Sequence, residues 1–148
     1  MSAREDVKDK VQRILTKNFE VRLGELDDYY IDFGSSAVRI TIDEPRRNFS
    51  TMEIDAIWVC IQGIVLWDVP SSPELYKFVA KSKPLGGLDL HLVDDGNNED
   101  YLLGLQTSIL GNFLDEDELV NVVAICGLSC DEWDEDFQAQ FGGTRNSE

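Results

Sequence analysis

The stretch IDAIWVCIQGIVLWDV, residues 54–69, is the longest apolar segment of the chain and decides how the remainder must fold. Its residues alternate between two faces, as in a β-strand, but both faces are apolar. One face carries Ile57, Val59 and Ile61. The other face carries Trp58 and Cys60. Gly63 predicts a bulge or a tight turn, after which the apolar run continues. We therefore expect one central strand, or two, buried on both sides.

Shorter strands with alternating apolar and polar residues precede and follow this run. The segments 29–33 and 38–42 lie before it, and the segments 88–92 and 101–105 lie after it. Short turns join the strands within each pair, which favours an antiparallel sheet of about five strands. The polar positions indicate that one face of these outer strands meets water.

Three amphipathic helices are predicted around the strands. The first spans about residues 4–18, and the second begins at a capping box of Ser71 with Glu74. The third begins at Asp115, and its apolar stripe extends to residue 141. The order α-β-β-β-α-β-β-α indicates an α+β fold in which three helices pack on a single sheet.

The boundaries of the domain follow from the last helix. Gly142 and Gly143 supply its C-terminal stop. We therefore expect one α+β domain over residues 1–143, and a disordered C-terminal tail at residues 144–148.

The charge of the chain is strongly one-sided. It has 29 Asp and Glu against 13 Lys and Arg, a formal net charge of -16. Leu, Ile, Val and Phe still make up about 30% of the residues, more than the roughly 20% typical of disordered acidic chains. A phosphate backbone or an anionic membrane requires a basic surface, so the composition predicts neither partner. It favours basic protein partners instead.

Cysteine usage and the absence of apolar spans indicate a cytoplasmic, reduced environment. Cys60, Cys126 and Cys130 are odd in number, so no disulfide framework is implied. Residues 1–17 are charged rather than apolar, which is not typical of a signal peptide. The run at 54–69 is interrupted by polar residues and is too short to span a bilayer.

Two candidate metal sites are weak, and we expect neither a metal nor a cofactor. Cys126 and Cys130 lie four residues apart on one helical face, but a zinc site needs two further ligands. Only Cys60 and His91 remain, and nothing in the sequence places them nearby. The acidic loop at residues 94–100 lacks the glycine and glutamate spacing of a calcium-binding loop, so a polar hairpin loop is the better interpretation.

A catalytic constellation is equally difficult to assemble. A nucleophilic Cys60 needs a base, and His91 is the single histidine. His91 alternates with leucines on its strand, which predicts an outward position.

Residues 112–148 contain ten acids against Arg145. Carboxylate pairs therefore arise by chance there, and a solvated helix face explains them. The alternative is that these acids orient a basic partner. We expect no enzymatic activity.

The second apolar face of the central run suggests an interface. Three helices are enough to cover one face of such a sheet, and the other face then requires a homodimer partner or a client protein. The candidate partner or dimer interface consists of Ile57, Val59, Ile61, Ile64, Leu66 and Trp67.

Several short motifs carry a resemblance to known proteins. They are WVCI at 58–61, VLWDVP at 65–70, SPELY at 72–76, LG at 110–111 followed by LD at 114–115 and DEL at 117–119, and FQAQFGG at 137–143. These motifs resemble small actinobacterial proteins of the YbjN-like group, which is similar to the class I type III secretion chaperone fold. The resemblance covers about residues 50–143 and the element order of the whole chain. It implies a twisted antiparallel sheet backed by helices, frequent homodimers, and an acidic cytosolic protein that holds a partly unfolded client. It carries no catalytic residues.

The sequence therefore predicts a non-enzymatic, chaperone-like or adaptor-like binding module that acts as a cytoplasmic homodimer on an unknown client. The alternative is a regulatory domain that senses a small ligand in a pocket between sheet and helices. Its candidate lining residues are Trp58, Trp67 and Trp133.

Overall fold

The computed structural model describes residues 2–44, 56–83, 87–94 and 100–146. Its α-helices are α1 (Ala3–Asn18), α2 (Pro73–Lys81) and α3 (Glu116–Phe141). Its strands are β1 (Arg22–Leu23), β2 (Tyr29–Phe33), β3 (Ser36–Asp43), β4 (Trp58–Val69), β5 (Asp89–Asp94) and β6 (Tyr101–Leu110). One turn of 3-10 helix, Gly111–Phe113, connects β6 to α3. Most of the acidic loop considered for calcium, residues 95–99, lies outside the described ranges.

The strands form a single antiparallel sheet in the order β1-β2-β3-β4-β6-β5. The twelve-residue strand β4 lies in its interior, between β3 and β6. The predicted α+β fold, the antiparallel sheet, the three helices and their order are confirmed. The sheet has six strands rather than about five, because the two residues of β1 pair with β2. Two residues are too few to show a period in the sequence.

The ends of the helices follow local hydrogen-bonding rules. Ser2 caps α1 by accepting from the Glu5 amide, and Asp115 caps α3 as predicted. The predicted start of α2 at Ser71 is wrong by one residue. Ser72 is the cap and accepts from the Leu75 amide, which places Pro73 at the first helical position, where its missing N–H costs nothing.

The residues buried by the helices form one core on one side of the sheet. The helices contribute Val7, Val11, Ile14, Leu15, Leu75, Leu119, Val123, Cys126 and Cys130. The helices also contact one another, since the ring of Phe78 in α2 lies 5.3 Å from Phe137 and 5.1 Å from Phe141 in α3. All three α-helices therefore pack on the same face, and no helix of the described residues lies on the second face of the sheet.

Gly63 is a point of close approach rather than a bulge, so the prediction of a bulge or turn there is wrong. It pairs in register with Val38 on β3 and Leu105 on β6. A Cβ atom at this position would lie 2.5 Å from the Cys130 sulfur and 2.6 Å from the Cys126 sulfur. Glycine is required because α3 crosses the sheet here. The shifts in strand register come later, between residues 64 and 69.

The segment after α3 is attached to the sheet. Gly142 and Gly143 have φ angles of 79° and 94° and end the helix as predicted. Thr144 then exchanges two backbone hydrogen bonds of 2.7 Å with Trp67, and Asn146 accepts one of 3.1 Å from the Trp67 indole. Residues 144 and 146 therefore contact the sheet, and the end of the predicted tail, residues 147 and 148, lies outside the described residues.

Among the described residues, no helix is both long enough and apolar enough to cross a membrane.

Candidate functional site

The face of the sheet opposite the helices is polar at its centre. Register and alternation place two rows of side chains on it. One row consists of Arg39, Gln62 and Gln106, and the next row consists of Thr41, Cys60 and Ser108. We call the surface formed by these six residues the uncovered face. Each of them is half-buried or exposed, although β4 lies in the interior of the sheet.

The uncovered face contains a shallow groove with a volume of about 230 Å³. The groove is lined by Arg39, Thr41, Asp43, Cys60, Ile61, Gln62, His91, Val93, Gln106, Thr107 and Ser108. Amide, hydroxyl, thiol and imidazole groups dominate this lining, so the groove offers both donors and acceptors of hydrogen bonds. None of the three tryptophans belongs to it.

His91 lies at one side of the groove. Its side chain points away from the helix-covered core, as its alternation with the leucines of β5 predicts. Its Nδ1 atom is 3.0 Å from the Gly104 carbonyl oxygen, and its Nε2 atom is 3.1 Å from Nε2 of Gln62. The carbonyl only accepts, so Nδ1 carries the proton and Nε2 accepts from the Gln62 amide. Burial lowers the pKa of His91, which the hydrogen bond to the carbonyl partly opposes. The imidazole is therefore held neutral in one orientation.

Arg39 is fixed by an ion pair at the other side of the groove. Its Nε atom donates to Asp28 at 2.8 Å, and Asp28 is only 3% exposed. Burial acts to raise the pKa of Asp28, but hydrogen bonds from Arg39 and Tyr30 outweigh it and hold that pKa below its usual range. Because the guanidinium is already neutralised, the groove has little excess positive charge with which to attract an anion.

Cys60 belongs to a chain of weak hydrogen bonds along the groove. Its thiol donates to Asp43 at 3.3 Å and accepts from the Ser108 hydroxyl at 3.5 Å. Burial raises the pKa of this thiol, and the Asp43 carboxylate also raises it. The thiolate, which is the nucleophilic form, is disfavoured as a result. Since the His91 ring is bound to Gln62, the groove presents groups that hydrogen-bond rather than an activated nucleophile.

The residues proposed for a partner or dimer interface occupy three different environments. Ile57, Val59, Ile61 and Leu66 lie in the core beneath the helices, each at most 2% exposed. Ile64 is 3% exposed and packs with Ala37 and Leu102 in a small second cluster, against which Trp67 lies. Of the six predicted residues, Trp67 alone keeps substantial accessible surface. The other accessible residues of β4 are Trp58, Cys60, Gln62 and Asp68.

The two cysteines of α3 fill the space between helix and sheet. Cys126 and Cys130 are both fully buried, free thiols. The neighbouring Cys126 thiol and burial raise the pKa of Cys130 far above its ordinary value. Within the described residues, no group of three or more acidic, cysteine or histidine side chains is arranged to hold a metal ion.

Sequence reasoning missed two buried acids, Asp28 directly before β2 and Asp134 on α3. Asp134 is 1% exposed and bonds to the Ser35 hydroxyl, which also lies 2.8 Å from Asp131. A signal for it exists in the helical period, because Asp134 lies four residues after Cys130 on the buried stripe of α3. Most other acids of α3 are on its outer side, as the prediction of a solvated face requires.

A larger depression, with a volume of about 710 Å³, lies along the outer side of α1. It is lined by six side chains of this one helix, among them Lys10 and Arg13. Within the described ranges no second element contributes to it, so it is a gap between side chains on the surface of one helix. The groove on the uncovered face is the better candidate for a site, because residues of four strands, β3, β4, β5 and β6, line it.

The fold defines a class: an α+β domain whose single antiparallel sheet has helices on one face and a hydrogen-bonding groove on the other. Comparison with protein-family models gave no match, and comparison with curated proteins gave none at the level of sequence. Function must therefore be argued from the site itself.

Proposed function

We propose that this chain is a non-enzymatic protein-binding module, chaperone-like or adaptor-like, that acts in the cytoplasm as a homodimer and binds a client protein. The single observation that carries the proposal is the uncovered face. The centre of the sheet presents half-buried hydrogen-bonding side chains, and no helix of the described chain covers them.

Apolar side chains near the polar groove support a protein partner. Trp58 is 40% exposed at one end of β4, directly across from the half-buried Leu110. Val93 is 38% exposed at the edge of the groove. Protein interfaces combine aromatic and aliphatic contacts with about one hydrogen bond per 100–200 Å², and tryptophan is a frequent anchor among them.

The state of the groove residues favours binding over proton transfer. His91 is neutral and bonded through both ring nitrogens, and the Cys60 thiol is held in its protonated form. The element order is also the one that the resemblance to YbjN-like proteins implies, and that resemblance predicts homodimers which hold a client. Membership of that group remains a prediction.

The test combines light scattering with affinity capture from the native cytosol. We expect a dimer in solution and a protein that co-purifies with the wild type. The variants Trp58→Ala and Gln106→Arg should each fail to capture that protein. Thr16→Arg, on the exposed side of α1, makes the same kind of charge change away from the sheet and should retain the partner. A monomer that captures nothing, or capture that survives both variants on the uncovered face, would contradict the proposal.

A regulatory domain that senses a small ligand is the second candidate, and the groove favours it. A volume of about 230 Å³ suits a ligand smaller than a typical drug. The neutral amides of Gln62 and Gln106 would select an uncharged, hydrogen-bonding molecule. A thermal-shift screen of metabolites separates the two candidates, because a specific compound should raise the melting temperature of the wild type but not of Gln62→Ala.

A further inference from the structure

The outer side of α3 presents an unusual arrangement of exposed residues. Ile125 is 54% exposed and Leu128 is 60% exposed, and both point away from the core that Cys126 and Cys130 contact. Residues three apart on a helix are neighbours, so the two side chains form one small apolar patch.

Carboxylates lie at both ends of this patch. The exposed acids before and after it are Asp117, Glu118, Glu132 and Asp136. Together with Ile125 and Leu128 they form what we call the α3 stripe. Glu116 and Glu135 are paired with Lys17 and Arg145, but among the described residues no cation forms a salt bridge with the four acids of the stripe. Residues 116–141 contain neither lysine nor arginine.

We propose that the α3 stripe binds an amphipathic, basic helix of a partner protein. Such a helix would place two adjacent apolar side chains against Ile125 and Leu128, and lysines or arginines against the acids at each end. With a rise of 1.5 Å per residue, Glu118 and Glu132 are about 21 Å apart along the axis, so a partner helix of about 14 residues reaches both. Charge complementarity then sets its position along the stripe.

The same charges argue against other occupants. A second copy of this chain that docked through its own α3 would bring acids against acids, because residues 116–141 contain no lysine or arginine. Like charges brought together at an interface repel one another, so the stripe disfavours pairing with the same stripe of a second copy. Nucleic acid and anionic membranes are repelled for the same reason.

This inference adds a second surface and the chemistry of its partner to the proposed binding function. The stripe lies on the side of α3 that faces away from the sheet, whereas the groove lies beyond the sheet. The two surfaces share no residue. Each can therefore fail experimentally without affecting the other.

The test uses a synthetic helical peptide of about 18 residues with two leucines on one side and lysines on both flanks. Fluorescence anisotropy should show that it binds the full chain, and that a peptide with glutamates in place of the lysines does not. We expect Ile125→Glu and Leu128→Glu each to weaken binding at least about tenfold, as the loss of an interface anchor does. Neutralising Glu132 and Asp136 to Gln and Asn should also weaken it.

Matched controls separate a specific site from general attraction to an acidic protein. Leu23→Glu and Leu26→Glu introduce the same change at residues that are 70% and 79% exposed elsewhere, and should leave binding unchanged. Gln106→Arg, which tests the uncovered face, should leave it unchanged as well. Equal losses in the control and stripe variants would overturn the proposal, as would a homodimer that Ile125→Glu dissociates.

Discussion

At the scale of single residues, His91 reports the environment of the groove directly. It is the only histidine among 148 residues, so its ring protons give an unambiguous NMR titration. Burial lowers its pKa in the folded chain from an ordinary value of 6.5. We therefore expect a titration midpoint below 6.5, and a midpoint at or above that value would contradict the buried, neutral ring.

The same shift has a defined consequence for stability. Between the folded-state pKa and 6.5, the unfolded chain binds a proton that the folded chain excludes, so acidification through this range lowers the free energy of unfolding. His91→Gln removes this contribution and leaves the acids unchanged. As the pH falls through 6.5, the free energy of unfolding of the wild type should therefore fall relative to that of the His91→Gln variant.

Gly63 tests the packing of α3 on the sheet. Gly63→Ala would place a methyl group within 2.6 Å of two sulfur atoms, which must then move. We expect a loss of about 1–3 kcal/mol in the free energy of unfolding, measured in urea. Adding Cys126→Ala and Cys130→Ala to Gly63→Ala provides space and should recover part of that loss relative to the two cysteine changes alone. No recovery would mean that the strain lies elsewhere.

At the scale of elements, the start of α3 depends on one side chain. Asp115 Oδ1 accepts hydrogen bonds of 2.8 Å from the Asp117 amide and 3.2 Å from the Glu118 amide. Asp115→Ala leaves these amides without that partner and should cost about 1 kcal/mol in the free energy of unfolding. Asp115→Ser keeps an acceptor and should cost clearly less. Equal costs in the two variants would show that the cap contributes little.

Elements were predictable from sequence where the signal is local. Asp115 and the stripe after it define α3, and the period-two segments define β2, β3, β5 and β6 without reference to the remainder of the fold. The role of Gly63 was not predictable, since only the crossing of α3 distinguishes close packing from a bulge. Contacts distant in sequence decide such cases.

The candidate site depended almost entirely on tertiary information. The alternation of β4 separates Val59 and Ile61 from Trp58 and Cys60, as the sequence indicated. It does not reveal which set the helices cover, so residues of the core were assigned to an interface. His91 on β5 contacts Gln62 on β4 by reaching across β6, where its other ring nitrogen bonds to the Gly104 carbonyl. No spacing in the sequence predicts this contact.

At the scale of the whole molecule, the net charge of -16 means that the acids outnumber the cations with which they could pair. Five salt bridges occur among the described residues, and three join α1 or the β-strands to nearby acids in the N-terminal third. The acids of α3 are largely left to solvent. Like charge spread over a compact body opposes folding through self-repulsion.

Salt should therefore affect folding and partner binding in opposite directions. The screening length falls from about 30 Å at 0.01 M to about 8 Å at 0.15 M ionic strength, which weakens repulsion between exposed acids. We expect the free energy of unfolding, measured in urea at neutral pH, to rise with sodium chloride over this range. Binding of the lysine peptide to the α3 stripe should weaken over the same range, because screening also removes its attraction. Neutralising Glu132 and Asp136 should flatten both dependences. If binding strengthened with salt, contact with Ile125 and Leu128 would dominate, and the flanking acids would have no part in choosing the partner.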